Sequence, residues 1–360
     1  MRSIFAGQIP LPALVLWALI ACSSEEPAGV GGSSGSNGST SAGAAATTRP
    51  MEPAAAYRRE GATRTVDVTY TGHVKDVPPG TRLLRVWLPV PRDSGVQTIT
   101  HLAFESPAKE SLATEPIYGN RIAYFEVENP SANQDFTMKF TCARQELLTD
   151  LDKVAASRPD PSKVDGRFLE NARAEGTSAD VQDRSDKAVS GKNGTIGKAR
   201  GIYDAVMEHM TYDKSGTGWG KGETRHACEV GKGNCTDFHA MFMSMCRAED
   251  IPAGFEIGLY LPYSGKPKPQ KLGGYHCWAF FQVPGVTWVP VDISEADKDP
   301  SKVDYFFGNH TNNRVALSTG RDLVLVPEQA GPPLSFFLDP YAEADGKPIA
   351  TSKSWDYQEL

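Results

Sequence analysis

Gly231-Lys232-Gly233-Asn234-Cys235-Thr236-Asp237-Phe238-His239-Ala240-Met241-Phe242 is the stretch on which the reading of this chain turns. Glycines and an asparagine break regular structure as far as Asn234. Thr236 to Asp250 then reads as a helix, with Phe238, Met241, Phe242 and Met245 as its apolar stripe and Ile251-Pro252 as its stop. Cys235 therefore sits at a helix N-terminus. Unsatisfied N–H groups and the positive end of the helix dipole favour a thiolate there, and the thiolate is the reactive form of cysteine. The Cys235 N–H is also placed to receive an oxyanion.

Downstream, Tyr275 to Phe281, the turn Pro284-Gly285 and the return Thr287 to Asp292 read as a β-hairpin. His276 and Asp292 fall near its open end, where an imidazole takes a thiol proton and a carboxylate holds the ring. Side chains alternate faces. The two are direct cross-strand partners only if paired residue numbers total 568, whereas a two-residue loop at Pro284-Gly285 gives 569 and sets Asp292 opposite Cys277. The spacing therefore predicts a three-residue loop or a β-bulge.

The motifs Gly233-Asn234-Cys235-Thr236-Asp237-Phe238, Gly274-Tyr275-His276-Cys277-Trp278-Ala279-Phe280 and Trp288-Val289-Pro290-Val291-Asp292 occur in this order. The separations are 41 residues from Cys235 to His276 and 16 from His276 to Asp292, and Ile251-Pro252-Ala253 follows the helix. Over about 196–345 the chain resembles bacterial members of the transglutaminase-like superfamily. The resemblance implies an α+β fold whose papain-like core packs a nucleophile helix on an antiparallel sheet. It also implies that Cys235 forms a thioester with a glutamine-like or peptide acyl group, that His276 is base and then acid, and that Asp292 orients it. Water as acceptor gives hydrolysis and an amine gives transamidation. An upstream aromatic or polar side chain often completes the oxyanion hole in this family, and Tyr212 and Trp219 are the candidates. The implied partner is a protein or peptide substrate. No cofactor and no metal are expected, since the acidic loops of metal-dependent members are missing.

Three other readings compete. Cys235 taken alone is a buried structural cysteine, or half of a disulfide with Cys228 or Cys246. His226, Cys228, Cys235 and His239 are four ligand types that zinc accepts, but their spacing fits no zinc module and leaves His276 and Asp292 unexplained. A non-catalytic binding or scaffold lipoprotein is the third, and the complete triad speaks against it.

The first residues carry Arg2 and an apolar run, Leu11 to Ile20, too short to span a bilayer as a stable helix. Leu19-Ile20-Ala21-Cys22 resembles the bacterial lipoprotein signal, in which Cys22 is lipidated. Ser23 to Ala46 is rich in Ser, Gly and Ala and buries nothing, as befits a tether. The expected order is a signal peptide over 1–21, a tether over 22–60 and a small β-sandwich-like domain over 61–145. A connector with surface helices follows over 146–195, then the catalytic domain over 196–345 and a tail over 346–360. The expected location is the cell envelope, lipid-anchored and facing the periplasm or the surface.

A net charge of −7 and the lack of any basic, aromatic-interleaved stripe exclude a nucleic-acid footprint. Oligomeric state is not readable. Of the cysteines beyond Cys22, Cys246 is expected in the core, Cys277 in packing or a disulfide, and Cys142 and Cys228 are open. Tyr305 to Gly308 and Arg314 to Leu325 read as structural first and substrate contact second, with Arg314 or Arg321 the candidate to touch a carboxylate; 262–273 reads as a flap, and His239 as a partly buried helix residue lining the cleft. His73, His101, His209 and His310 read as surface or packing residues.

Overall fold

The computed structural model describes residues 51–263, 269–272 and 274–360. The expected signal peptide, the lipidation site Cys22 and most of the tether lie outside the described residues, as do 264–268 and 273 of the expected flap. Among the described residues no helix is long and apolar enough to cross a membrane.

Two five-stranded antiparallel sheets form a sandwich. Thr63–Val74 is central to the first, between Gln134–Gln145 and Thr351–Glu359, with Gln97–Glu105 and Gln270–Leu272 at the edges. Leu83–Val90 is central to the second, between Arg121–Glu128 and Tyr341–Ala344, with Ser111–Thr114 and Lys347–Ile349 outside them. The period-two pattern of Thr63–Val74 does what alternation demands: Val66, Val68, Tyr70 and Val74 are buried. Across the interface Phe125 of the second sheet meets Phe136 and Phe104 of the first at ring separations of 5.0 and 6.0 Å.

The last residues are not a tail. Thr351–Glu359 pairs with Thr63–Val74 from Thr351↔Val74 to Glu359↔Val66 and buries Trp355 and Tyr357. Apolar Trp355 and Tyr357 amid polar neighbours are a strand signal, and their burial drives the pairing. The expected tether is likewise too long at its C-terminal end. Met51 is buried against the cluster of Trp278 and Phe280, and Arg58–Arg59 pairs with Thr149 and Leu148. Nor is 146–195 merely a connector. The helix Ala179–Val189 buries Val181, and Ser185 Oγ donates to the Met245 carbonyl at 2.9 Å, which docks it on the Cys235 helix.

The second layer is a four-stranded antiparallel sheet in the order Thr287–Val291, Tyr275–Val283, Ala253–Tyr260, Arg314–Thr319. The helix Cys235–Ala248 lies on it, with every residue from Cys235 to Cys246 buried. Such a helix has no solvent face, and its polar members must find partners inside. Gly194–His209 packs beside it through Ala199, Ile202 and Val206, the positions its helical period predicts. This α+β arrangement, with the Cys235 helix on an antiparallel sheet and a β-sandwich besides, is the expected fold class.

Trp355→Ala should therefore cost about 3–5 kcal/mol of stability, the usual cost of emptying a buried aromatic site. Equilibrium urea unfolding reads this directly. A loss within about 0.5 kcal/mol, the range of surface substitutions, would mean that the C-terminal strand is dispensable.

Candidate active site

Asn234 caps the Cys235 helix. Its Oδ1 accepts the Thr236 N–H at 2.9 Å, and Asp237 Oδ2 reaches back to the Asn234 N–H at 2.9 Å, a reciprocal capping box. The Asp237 carboxylate also accepts from the N–H groups of Gly220 and Gly222 at 2.6 and 3.1 Å, which ties down the glycine-rich loop. Tyr275 clamps the cap from the sheet: its hydroxyl accepts from Asn234 Nδ2 at 2.8 Å and lies 3.0 Å from Thr236 Oγ1. A Cβ on Gly233 would fall 2.3 Å from Asp237 Oδ2, so only glycine admits this approach. The Asp237 and Phe238 N–H groups return to the Asn234 carbonyl. The Cys235 N–H stands at the first helical position, where no intrahelical acceptor exists.

The hairpin has its three-residue loop, Pro284 to Val286, but the register differs from the one required for direct pairing. Val283 pairs with Thr287 and Ala279 with Val291, so Asp292 is diagonal to His276 rather than opposite it. Paired numbers total 570, which keeps His276 and Asp292 on one face. The chain leaves the ladder after Val291, and Asp292 caps the short helix Ile293–Lys298. That exit brings its carboxylate back over the ring, with His276 Nε2 and Asp292 Oδ2 2.7 Å apart.

Asp292 is fully buried and fully partnered. Oδ2 also accepts from Arg314 Nη1 at 2.9 Å, and Oδ1 accepts from Ser294 Oγ and the Glu295 N–H, both at 3.2 Å. Burial alone would raise its pKa, but the charges of His276 and Arg314 and the His276 hydrogen bond hold it well below the carboxylate range. Burial would likewise lower His276. The charge and hydrogen bond of Asp292, then those of Cys235, lift it to about 9. For Cys235 burial works against the thiolate, and hydrogen bonds from Cys277 and His276, with the charges of His276 and His239, outweigh it and hold the thiol well below its ordinary value. The three groups named from sequence are thus brought together, with the Cys235 thiol pushed down, the His276 ring pushed up and the Asp292 carboxyl held down by one another's charges.

Of the two oxyanion candidates, Tyr212 is within electrostatic reach of the sulfur. Thr211–Tyr212 pairs in parallel with Lys232–Gly233, directly before Cys235. Burial and then the Cys235 charge push the Tyr212 hydroxyl up to about 12. Trp219 sits in the glycine-rich loop near the Lys214 amine, at 5.9 Å. Arg314 and Arg321 do contact carboxylates, but the protein's own. Arg314 is bound to Asp292 and lies 4.8 Å over the Trp278 ring, while Arg321 bonds the buried Glu175 at 2.9 Å. Both are buried and engaged, in keeping with the structural reading of this segment rather than with a substrate contact.

His239 does not line a cleft. It is buried one turn below Cys235, and its Nε2 accepts the Ile293 N–H at 3.2 Å, which makes Nδ1 the protonated nitrogen. Burial lowers its pKa to about 4, so the ring is neutral. It joins the Cys235 helix to the start of the Asp292 helix. No sequence signal marked that role beyond the four-residue step from Cys235. The zinc grouping does not assemble: His226 packs at Gly218, and among the described residues no three His, Cys, Asp or Glu side chains are placed to hold a metal ion. Cys142, Cys228, Cys235, Cys246 and Cys277 are all free thiols. His310 is enclosed between the Trp278 and Phe280 rings.

Residues 182–293, which include Cys235, His276 and Asp292, match the family model described as Transglutaminase-like superfamily. An uncharacterized protein of Haemophilus influenzae is 28% identical over 310 residues, spanning 76% of this chain and 84% of its own. A candidate cysteine protease of Cytophaga hutchinsonii has a similar fold, with a TM-score of 0.54 at 15% identity over 84% of this chain and 100% of that one. The periplasmic domain of TgpA from Pseudomonas aeruginosa is more distant, with a TM-score of 0.38 at 15% identity over 71% of this chain and 78% of that one.

Iodoacetamide alkylation of Cys235 should stay fast as pH falls below the ordinary thiol range, and His276→Ala should slow it on the order of ten-fold or more near neutrality. An unchanged rate would break the sulfur–imidazole pairing. Because the folded His276 pKa of about 9 exceeds the ordinary 6.5, its stabilising contribution is complete below the lower value and vanishes as pH rises through the upper one. Unfolding of wild type against His276→Ala across that window reads it.

Proposed function

From the premise that the chain carries a transglutaminase-like domain over residues 182–293, we propose that it is an exported acyl-transfer enzyme. It acts on amide bonds of proteins or peptides through a Cys235 thioester. The observation that carries this reading is the Cys235 thiol at a helix N-terminus, its pKa lowered by the neighbouring His276, an imidazole whose Nε2 lies 2.7 Å from a buried carboxylate.

Asp292 occupies Nε2 of His276, which leaves Nδ1 to serve the sulfur. The thiolate adds to the amide carbonyl. The oxygen that becomes negative is met by the Cys235 N–H and the Tyr212 hydroxyl, donors fixed before the charge appears. His276 Nδ1 then gives its proton to the departing amine, and the C–N bond breaks to leave a thioester. The emptied nitrogen takes a proton from water or from a second amine, whose attack releases the acid or a new amide. Asp292 keeps the ring oriented throughout and stabilises its positive form. Arg314 keeps Asp292 ionised, so the carboxylate does not take the proton itself. Cys235 and His276 are each 2% exposed, so an acyl donor enters only when the side chains over them move aside.

Location belongs to the same proposal. Lipidation at Cys22 and the Ser/Gly/Ala-rich tether from Ser23 would hold the folded body at the cell envelope. Cys22→Ala should move the protein from the membrane fraction to the soluble fraction. Retention in membranes would remove the anchor from the account.

The activity is tested with a glutamine-containing peptide, reading ammonia release and the capture of a dansylated primary amine. Cys235→Ala should abolish both, and Asp292→Asn should lower kcat on the order of 10²–10⁴-fold with the fold intact. An electrophilic amide mimic that labels wild type and His276→Ala equally, together with no turnover, would instead mark a scaffold.

A further inference from the structure

Cys277 follows His276 on the same strand and, by alternation, faces the other way, toward the Cys235 helix. Its Sγ lies 3.8 Å from Thr236 Oγ1 and 3.8 Å from His239 Nδ1, two side chains that flank Cys235 on its own helix. The Cys277 S–H donates to Thr236 Oγ1, the residue that follows Cys235, so the two thiols occupy adjoining places, and both are reduced. The other described thiols are placed elsewhere. Cys142 is in the sandwich, Cys228 is on the helix Thr224–Val230, and Cys246 is near the far end of the Cys235 helix. Packing alone explains a small apolar residue at 277. It does not call for a second sulfur against the first.

We propose that Cys277 is a resolving thiol, which captures Cys235 as a reversible intramolecular disulfide when a hydroperoxide oxidises it. The inference rests on Cys235 being the reactive nucleophile of the site. The sulfurs have unequal tasks, and their surroundings match them. Burial, then the hydrogen bond and charge of Cys235, keep Cys277 a thiol, while Cys235 is the thiolate and is attacked first. The Cys235 thiolate displaces hydroxide from the peroxide O–O bond and becomes a sulfenic acid, and that hydroxide is protonated to water. Cys277 sulfur then attacks the sulfenic sulfur, an S–S bond forms, the S–O bond breaks, and hydroxide leaves with the Cys277 proton as a second water. Two thiols are oxidised by two electrons in total, and one peroxide is reduced to two waters. The disulfide silences the nucleophile but protects it from irreversible oxidation. A thiol reductant restores it.

The test treats the full chain with hydrogen peroxide, alkylates it and maps it by mass spectrometry without reduction. The expected result is a peptide pair joined through Cys235 and Cys277. Dithiothreitol should then return iodoacetamide labelling of Cys235 to near its untreated level in wild type, while Cys277→Ala recovers about ten-fold less because its Cys235 has passed to sulfinic acid. Cys277→Ser, which keeps the size and polarity of the site, should behave like Cys277→Ala if the missing sulfur is the cause. Wild-type protein that yields sulfinic Cys235 without the cross-link, or a Cys277→Ser variant that recovers fully, would overturn the proposal. The cross-link is read without turnover, so it stands or falls separately from activity on amides.

Discussion

A buried negative charge organises this molecule. The Asp292 carboxylate, removed from water, is tolerable only where donors surround it, and it has four: the His276 ring, the Arg314 guanidinium, the Ser294 hydroxyl and the Glu295 N–H. They come from three parts of the fold. His276 arrives on the neighbouring strand, Arg314 on the far edge strand of the same sheet, and the last two from the helix that Asp292 itself starts. The sheet order, the hairpin loop and the turn into Ile293–Lys298 are therefore coupled through one side chain. His239 adds a link from the opposite layer by holding the Ile293 N–H.

The same coupling explains the opposed shifts of Cys235, His276 and Asp292. An imidazolium and a thiolate in a dry site are each unfavourable alone and favourable together. The carboxylate sets the sign by raising His276, and His276 in turn lowers Cys235. Arg314 keeps this order from collapsing into a neutral carboxylic acid and a neutral ring.

Local motifs in the sequence were enough to place Cys235 at its helix start and His276 and Asp292 on one hairpin face, because capping residues and strand alternation act over a few residues. The diagonal rather than direct pairing was not legible. The position of a three-residue loop depends on how Pro284, Gly285 and Val286 pack, and one step changes the partner while preserving the face. Arg314, Tyr275 and His239 were invisible in their true roles for a different reason. Each acts through a contact distant in sequence, and no short pattern distinguishes an arginine that binds a substrate from one that neutralises a buried aspartate. The α+β class and the strands Thr63–Val74, Leu83–Val90, Arg121–Glu128 and Gln134–Gln145 follow from alternation, whereas the irregular Gln97–Glu105 and Ser111–Thr114 gave too little of it.

Thr351–Glu359 occupies an interior place in the first sheet, between Thr63–Val74 and Gln270–Leu272, although it lies far along the sequence from Thr63–Val74. Without it, one side of Thr63–Val74 has unpaired backbone donors and acceptors and an uncovered apolar face. The sandwich closes only when these two distant segments meet. A truncated copy, by contrast, keeps a sticky sheet edge that invites pairing with its neighbours.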